Sequence, residues 1–506
     1  MTRQTILLAA VAAAFAARAA EITIDAGRSL GEISPFLHGQ FIEYMGRCID
    51  GGLYDETSPR SRADGVRADV LEKVKDLSPT MIRFPGGTFV KTFHWEDGIG
   101  PKESRRASKN LVWGGINTFH FGTDEFIDYC RAVGAEPVLV VNISSGTPDE
   151  AAHWVEYCNG TDDTYYANLR RRNGHEKPFN VKYWALGNEE AAEPDAGRHQ
   201  DPAFYVKDVW HFIKLMKLTD PSIQLIADGE RGKPDWNRTV LRGLDGAVDY
   251  ISFHSYVGTG GDKYSIFQGI DNVERDIAGM AKLVEENSTF PVKNWKKWYR
   301  FPARTKPVKL AIDEWGIWEQ QDPPYGTTNT YEWRHALATG WYMNAFMRQA
   351  RVIGMANWAQ MANILAPIMT SKDASVCQTV FYPLREYRRR ALGESVAVSV
   401  AGAPLAGGKV AALSCAAALD RAQGRLTLCV VNAGTSPVEA AISVKGLASA
   451  RATEATELTG ESLGAKNTLA NPSKNVVKTA KRRVARPNGG YVFPAESIVF
   501  LDFEVK

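Results

Sequence analysis

Tyr183-Trp-Ala-Leu-Gly-Asn-Glu189 and Leu310-Ala-Ile-Asp-Glu314-Trp315 are short apolar runs that each end at a carboxylate. Runs of this length without polar alternation predict strands buried on both faces. Similar runs occupy residues 39–43, 80–84, 136–141, 182–187, 223–227, 250–254, 308–313 and 354–360. Helical spacing of apolar residues marks 67–77, 123–132, 202–218, 271–286 and 331–351 between them. Eight strands alternating with helices predict a closed (β/α)8 TIM barrel, an α/β fold whose strand C-termini form one rim. An open doubly wound sheet is disfavoured, because no Gly-rich phosphate fingerprint follows the first strand.

The texture changes after residue 390. Residues 395–400, 410–416, 426–432, 440–444, 491–495 and 498–503 read as short strands between turn residues, which predicts a C-terminal antiparallel β-sandwich of jelly-roll type. The basic stretch 471–488, with Lys474, Lys478, Lys481, Arg482, Arg483 and Arg486, reads as an exposed excursion between strands. Residues 21–26 alternate and are expected to add an edge strand to the sandwich. The domain plan is therefore 1–19 signal peptide, 20–37 added strand, 38–385 barrel and 386–506 sandwich.

Composition narrows the partners. The 506 residues carry a net charge of +2 with 44% hydrophobic and 23% charged residues, which suits a soluble globular chain and a neutral substrate. Nucleic acid is not an expected partner. The runs Arg170-Arg171-Arg172 and Arg388-Arg389-Arg390 read as solvated faces. Arg3, the apolar stretch from Ile6 to Ala17 and the small residues around Ala19 follow the plan of a secretory signal, too short to span a bilayer. Export is expected, to periplasm or medium, with no membrane span in the mature chain. None of Cys48, Cys130, Cys158, Cys377, Cys415 and Cys429 forms a zinc-ligand spacing. Cys415 and Cys429 flank a turn and are candidates to face each other and oxidise after export, with buried free thiols as the alternative.

Polar residues gather at the predicted strand ends: Glu43, Arg83, Asn142, Asn188 with Glu189, His254 with Tyr256, Glu314 with Trp315, and Gln360. Cleaving an acetal requires a proton for the leaving oxygen and a stabiliser for the cationic carbon, so one carboxyl must be protonated while another is ionised. Arg83 reaching Glu314 would favour an ionised nucleophile, and Tyr256 is expected to donate to it. Glu189, beside Trp184 and neutral Asn188 with no cation evident in the sequence, is the expected acid and then base. Glu43, Asn188 and Gln360 are expected to hold sugar hydroxyls.

The same residues carry a resemblance. Gly39-Gln-Phe-Ile-Glu43, Gly46-Arg-Cys-Ile-Asp-Gly-Gly-Leu-Tyr54, Arg83-Phe-Pro-Gly-Gly87, Trp95-Glu-Asp-Gly-Ile-Gly-Pro101, Trp154-Val-Glu-Tyr-Cys-Asn159, Trp184 to Glu189, Asp313-Glu-Trp315 and Ala359 to Thr370 occur in order. Together they resemble the α-L-arabinofuranosidases of glycoside hydrolase family 51. The resemblance implies a retaining enzyme acting on arabinose-containing oligosaccharides or polysaccharides, with Glu189 as acid/base and Glu314 as nucleophile. It implies substrate or nucleophile contacts for Glu43, Thr88, Asn188, Tyr256 and Gln360, and supporting roles for Arg83, His254 and Trp315. It implies no metal and no organic cofactor, and a homo-oligomer. Thr88 stands where family members carry Asn or Cys, and residues 190–197 replace the usual segment bordering the leaving group.

Overall fold

The computed structural model describes residues 20–192, 198–258, 260–318, 330–484 and 490–506. Eight parallel strands form the barrel: Gly39–Phe41, Met81–Phe84, Glu136–Val141, Tyr183–Leu186, Gln224–Ala227, Tyr250–Ser252, Lys309–Ile317 and Ile353–Ala359. Gly39 pairs with Asn357 and Lys309 with Tyr250, which closes the sheet. A short strand, Ser255–Val257, prolongs the sixth and pairs with the C-terminal half of the seventh. Each strand is followed by a helix, in order Ala68–Leu77, Thr123–Val133, Pro148–Asn159, Pro202–Thr219, Pro234–Gly243, Ser265–Asn287, Trp333–Arg348 and Phe381–Arg390. Proline at the first turn sets the start of the third, fourth and fifth of these, where its missing N–H costs nothing.

The barrel interior is layered. Met81, Val138, Val140, Tyr183, Ala185, Ile226, Ala311 and Met355 fill its lower part, and Phe36 closes the bottom, its ring centroid 5.2 Å from that of Tyr183 in an edge-on arrangement. Above them Arg83, Asn188, Ser252 and Asp313 are buried polar groups facing the rim. Within the barrel interior these charges are thus kept to the end where a ligand can enter.

The second domain is a nine-stranded, mostly antiparallel sheet in the order Val477–Arg483, Ala450–Gly460, Ser497–Val505, Arg425–Asn432, Leu413–Asp420, Glu394–Ala401, Ala20–Glu32, Val438–Lys445, Tyr491–Phe493. Three expectations change here. The N-terminal strand is interior: Ala20–Glu32 lies antiparallel to Glu394–Ala401 and parallel to Val438–Lys445. The basic stretch is not simply an excursion, because Val477–Arg483 pairs along its length with Ala450–Gly460 at the sheet edge. Charged side chains on an edge strand blunt further pairing, which is why a real strand reads as a loop. Cys415 lies opposite Val430, and Cys429 opposite Ala416. That one-residue offset turns the two thiols to opposite faces of the sheet, and all six cysteines are free.

The arginine runs also change meaning. Arg170 is fully buried and donates to the carbonyls of Tyr157 and Gly160 at 2.8 and 2.9 Å. Arg390 is buried at the domain junction, between Glu386 and Thr456. In each run it is one turn-spaced member that faces inward, which a block of like residues conceals. The helix Trp333–Arg348 seats the barrel on the sheet: Asn344 Nδ2 donates to the Ser414 carbonyl at 2.9 Å and Arg348 Nη1 to that of Cys415 at 2.9 Å. No helix among the described residues is long and apolar enough to cross a membrane. The signal-peptide reading, residues 1–19, lies outside the described residues.

Candidate active site

Arg83 organises the rim. Its Nη1 donates to Glu314 Oε1 at 2.8 Å, its Nη2 to Asn188 Oδ1 at 2.6 Å, and its Nε lies 3.4 Å from Asp313 Oδ2. The guanidinium carbon sits 4.9 Å from the centroid of the Phe41 ring. A planar fork of fixed donors can hold three groups from two strands, which an ammonium cannot.

The seventh strand supplies two of those groups in sequence. Ideal alternation would send Asp313 and Glu314 to opposite faces, but the pairing with the eighth strand shifts register between Ile312 and Trp315. The irregularity turns both carboxylates toward Arg83. Trp315 then points outward, its ring 4.9 Å from Phe346, 5.1 Å from Tyr342 and 4.8 Å from Trp358. It braces the strand from behind. Burial pushes the Asp313 carboxyl up, but Arg83 and hydrogen bonds from His254 and Ser252 outweigh it and hold the group at about 2.

At the end of the fourth strand Gly187 has φ +88° and Glu189 φ +47°. This left-handed turn directs Asn188 inward, where it is 1% exposed, and leaves Glu189 partly exposed at the mouth. Asn188 Nδ2 is buried without a hydrogen-bond partner. A cation beside Glu189 that the sequence does not reveal is His254, whose Nδ1 is 2.8 Å from Glu189 Oε1. Trp184, by contrast, stands on the outer side of its strand against Trp154, at 5.5 Å. His254 Nε2 lies 3.5 Å from Asp313 Oδ1, and its Nδ1 is 3.6 Å from Glu314 Oε2. Burial opposes the imidazolium, but the charge of Glu314 and the bonds to Asp313 and Glu189 raise its pKa well above the ordinary value. Tyr256 donates its hydroxyl to Glu314 Oε2 at 2.7 Å. One ligand atom each from Glu189, His254 and Glu314 lies within 4.8 Å of the others. Distance alone would let them hold a metal ion, but the fixed charge of Arg83 on Glu314 repels a second cation.

Glu43, 3% exposed, forms the opposite wall. It accepts from Phe89 N at 3.0 Å, Trp113 Nε1 at 2.9 Å and Gln360 Nε2 at 2.8 Å. Gly86 and Gly87 pass so close that a Cβ on either would come within 2.8 or 2.9 Å of the Glu43 side chain. Thr88 heads the turn whose next amide reaches Glu43. Burial, and then the charge of Glu314, push the Glu43 carboxyl up to about 8. Gln360 Oε1 is buried without a partner.

Two family models match the chain. One, described as the α-L-arabinofuranosidase 1 domain, matches residues 73–271. The other, the α-L-arabinofuranosidase C-terminal domain, matches residues 313–497. The structure resembles the thermostable GH51 α-L-arabinofuranosidase from Thermotoga petrophila with TM-score 0.86 and 33% identity, covering 96% of this chain and 99% of that one. Alpha-L-arabinofuranosidase C of Emericella nidulans is 39% identical over 375 residues, 72% of this chain and 73% of that protein. The chain belongs to the family 51 α-L-arabinofuranosidases. An intracellular exo-α-(1→5)-L-arabinofuranosidase of Halalkalibacterium halodurans is 33% identical over 385 residues, 72% of this chain and 74% of that protein.

Sequence reasoning about this arabinofuranosidase-family chain leaves out several residues that the fold brings to the site. Trp113 comes from the irregular stretch after the second strand, where no periodicity identifies a partner. Asp313 is a near neighbour of Arg83 only because of the strand irregularity. Asp228 and Glu190 lie under the Glu189 turn, with Glu190 N donating to Asp228 Oδ2 at 3.2 Å. Residues 190–192 of the unusual segment are described, and 193–197 lie outside the described residues.

Proposed function

We propose that the protein is an exo-acting, retaining α-L-arabinofuranosidase that releases terminal α-L-arabinofuranose from arabinan, arabinoxylan or their oligosaccharides. The observation that carries the reading is the pair of carboxylates on the fourth and seventh strands with oxygen atoms within 4.8 Å. A separation near 5 Å suits double displacement, whereas an inverting pair stands several ångström further apart to admit water.

The partners divide the labour. Arg83 cannot give up its proton, so Glu314 keeps a permanent cation and a Tyr256 donor and serves as nucleophile. Glu189 is partly exposed and faces the His254 imidazolium, a cation that, unlike Arg83, carries a proton that can pass to the carboxylate, so the pair holds a transferable proton at the mouth. Glu189 protonates the leaving oxygen as Glu314 attacks the anomeric carbon, forming a covalent arabinosyl-enzyme. Deprotonated Glu189 then activates the water that releases the sugar with net retention. Asn188 Nδ2 and Gln360 Oε1, buried and unpartnered, are the groups best placed to meet sugar hydroxyls, beside Glu43 and Thr88. Export is part of this reading and is supported by the three-part pattern of the first nineteen residues.

The test is hydrolysis of aryl α-L-arabinofuranoside, β-xyloside and β-glucoside, with the product anomer followed by NMR. The arabinofuranoside should be preferred and the first-formed product should be the α-anomer. Preference for the xyloside would overturn the substrate, and inversion would overturn the mechanism.

A further inference from the structure

We propose that His199 is a positioning residue for Glu189, acting as a buried clamp that holds the acid/base turn against the helix that follows it. The proposal rests on the acid/base reading of Glu189. The left-handed conformation at Glu189 is not one that a residue with a Cβ adopts without support from its surroundings. That support arrives at the next residue. Glu190 is fully buried, and its Oε2 lies 2.7 Å from His199 Nδ1. The other ring nitrogen, Nε2, lies 2.8 Å from Asp208 Oδ2 on the helix Pro202–Thr219.

A neutral imidazole donates from one nitrogen only, so a ring between two carboxylates is held as the imidazolium. Burial opposes the charge, but the hydrogen bonds to Glu190 and Asp208 raise its pKa above the ordinary value. Among the described residues, the other polar groups facing this cluster are Ser144, whose hydroxyl donates to Glu190 Oε1 at 3.3 Å, Arg198, 3.6 Å from Asp208, and Asp228 beneath the Glu190 amide. The ring packs against Phe204 and Tyr205 at 5.1 and 5.7 Å. Tyr205 in turn donates to the Leu186 carbonyl at 3.0 Å and accepts from Asp228 N at 2.8 Å, so the clamp is tied to the end of the fourth strand itself. His199 touches neither Glu189 nor the reacting atoms. It acts through Glu190, one peptide bond away.

Misplacing an acid affects only substrates that need its proton. In the full-length protein, His199→Phe keeps the ring packing and removes both hydrogen bonds. Its kcat/KM on phenyl α-L-arabinofuranoside should fall at least about tenfold, and on the dinitrophenyl substrate, whose leaving group needs no proton, less than about threefold. Asp208→Asn, at the more exposed end of the clamp, should move both substrates in the same direction by less and serves if the Phe variant does not fold. An equal loss on both substrates, or no loss on either, would overturn the proposal. Glu189→Ala run on the same pair separates the two readings. If it discriminates between the substrates and His199→Phe does not, the clamp fails alone; if it does not discriminate, the acid/base reading has failed.

Discussion

Replacing Arg83 by Met would test the electrostatic centre of the site most directly. Arg83 is buried and is the fixed cation for Asp313 and Glu314, with His254 the titratable one. Removing one partner of a buried ion pair costs about 3–5 kcal/mol, because the carboxylate left behind has already given up its hydration. With an unfolding entropy of about 2 cal/mol/K per residue over the roughly 350 residues of the barrel, that lowers the melting midpoint by about 4–7 °C. The pH dependence is diagnostic. In the parent, the Asp313 carboxyl is held down from 3.8 to about 2. Its contribution, about 2 kcal/mol, is present above the unfolded value and is lost only as pH falls through the folded one. Without Arg83 only His254 and Ser252 oppose burial at Asp313, so its folded-state value rises and the variant binds a proton there before the parent does. The stability gap between the two therefore closes as pH falls from neutrality through the variant's folded value. Thermal midpoints of parent and variant, taken at one scan rate across that range, should differ most near neutrality and converge in acid. An unchanged midpoint at neutral pH, or a gap that widens on acidification, would refute the reasoning.

Glu314→Ala should lose orders of magnitude in turnover on every substrate, while Glu189→Ala should largely spare kcat/KM for the dinitrophenyl substrate, whose turnover then becomes limited by release of the sugar; equal losses of kcat/KM with good and poor leaving groups would remove Glu189 from the acid/base role. Glu43→Gln tests the buried carboxyl pushed up to about 8. A raised folded value costs the parent stability progressively from about 4.5 upward and levels off above the folded value, so the midpoint advantage of the Gln variant should grow across that window. A gap independent of pH would argue that Glu43 is ionised throughout. Unfolding without reductant should expose six titratable thiols, and reductant should leave the melting midpoint unchanged. A count of four would restore a disulfide.

The barrel was legible because a parallel strand covered on both faces must be a short apolar run, and eight of them alternate with helical patterns along the chain. Residues at the strand ends then fall on one rim for a topological reason that needs no side-chain geometry. Local pattern fails where a side chain is directed by something distant. Val477–Arg483 is a strand made almost entirely of polar residues, because its outer edge has only water to face. Arg170 and Arg390 hide among identical neighbours, since a run of arginines does not say which member meets a buried carbonyl or carboxylate.

By itself, the sequence determined the barrel, the mostly antiparallel second domain and the two carboxylates that end the fourth and seventh strands. Only tertiary structure decided how those carboxylates are addressed. One register irregularity between Ile312 and Trp315 brings consecutive acids to a single arginine and turns Trp315 away. The left-handed turn at Glu189 leaves it beside His254, sixty-five positions along the chain. The physical reason is the same in both cases. Hydrophobic periodicity is a local signal that selects elements, whereas the charge state of a buried group depends on which partners the closed barrel brings within a few ångström.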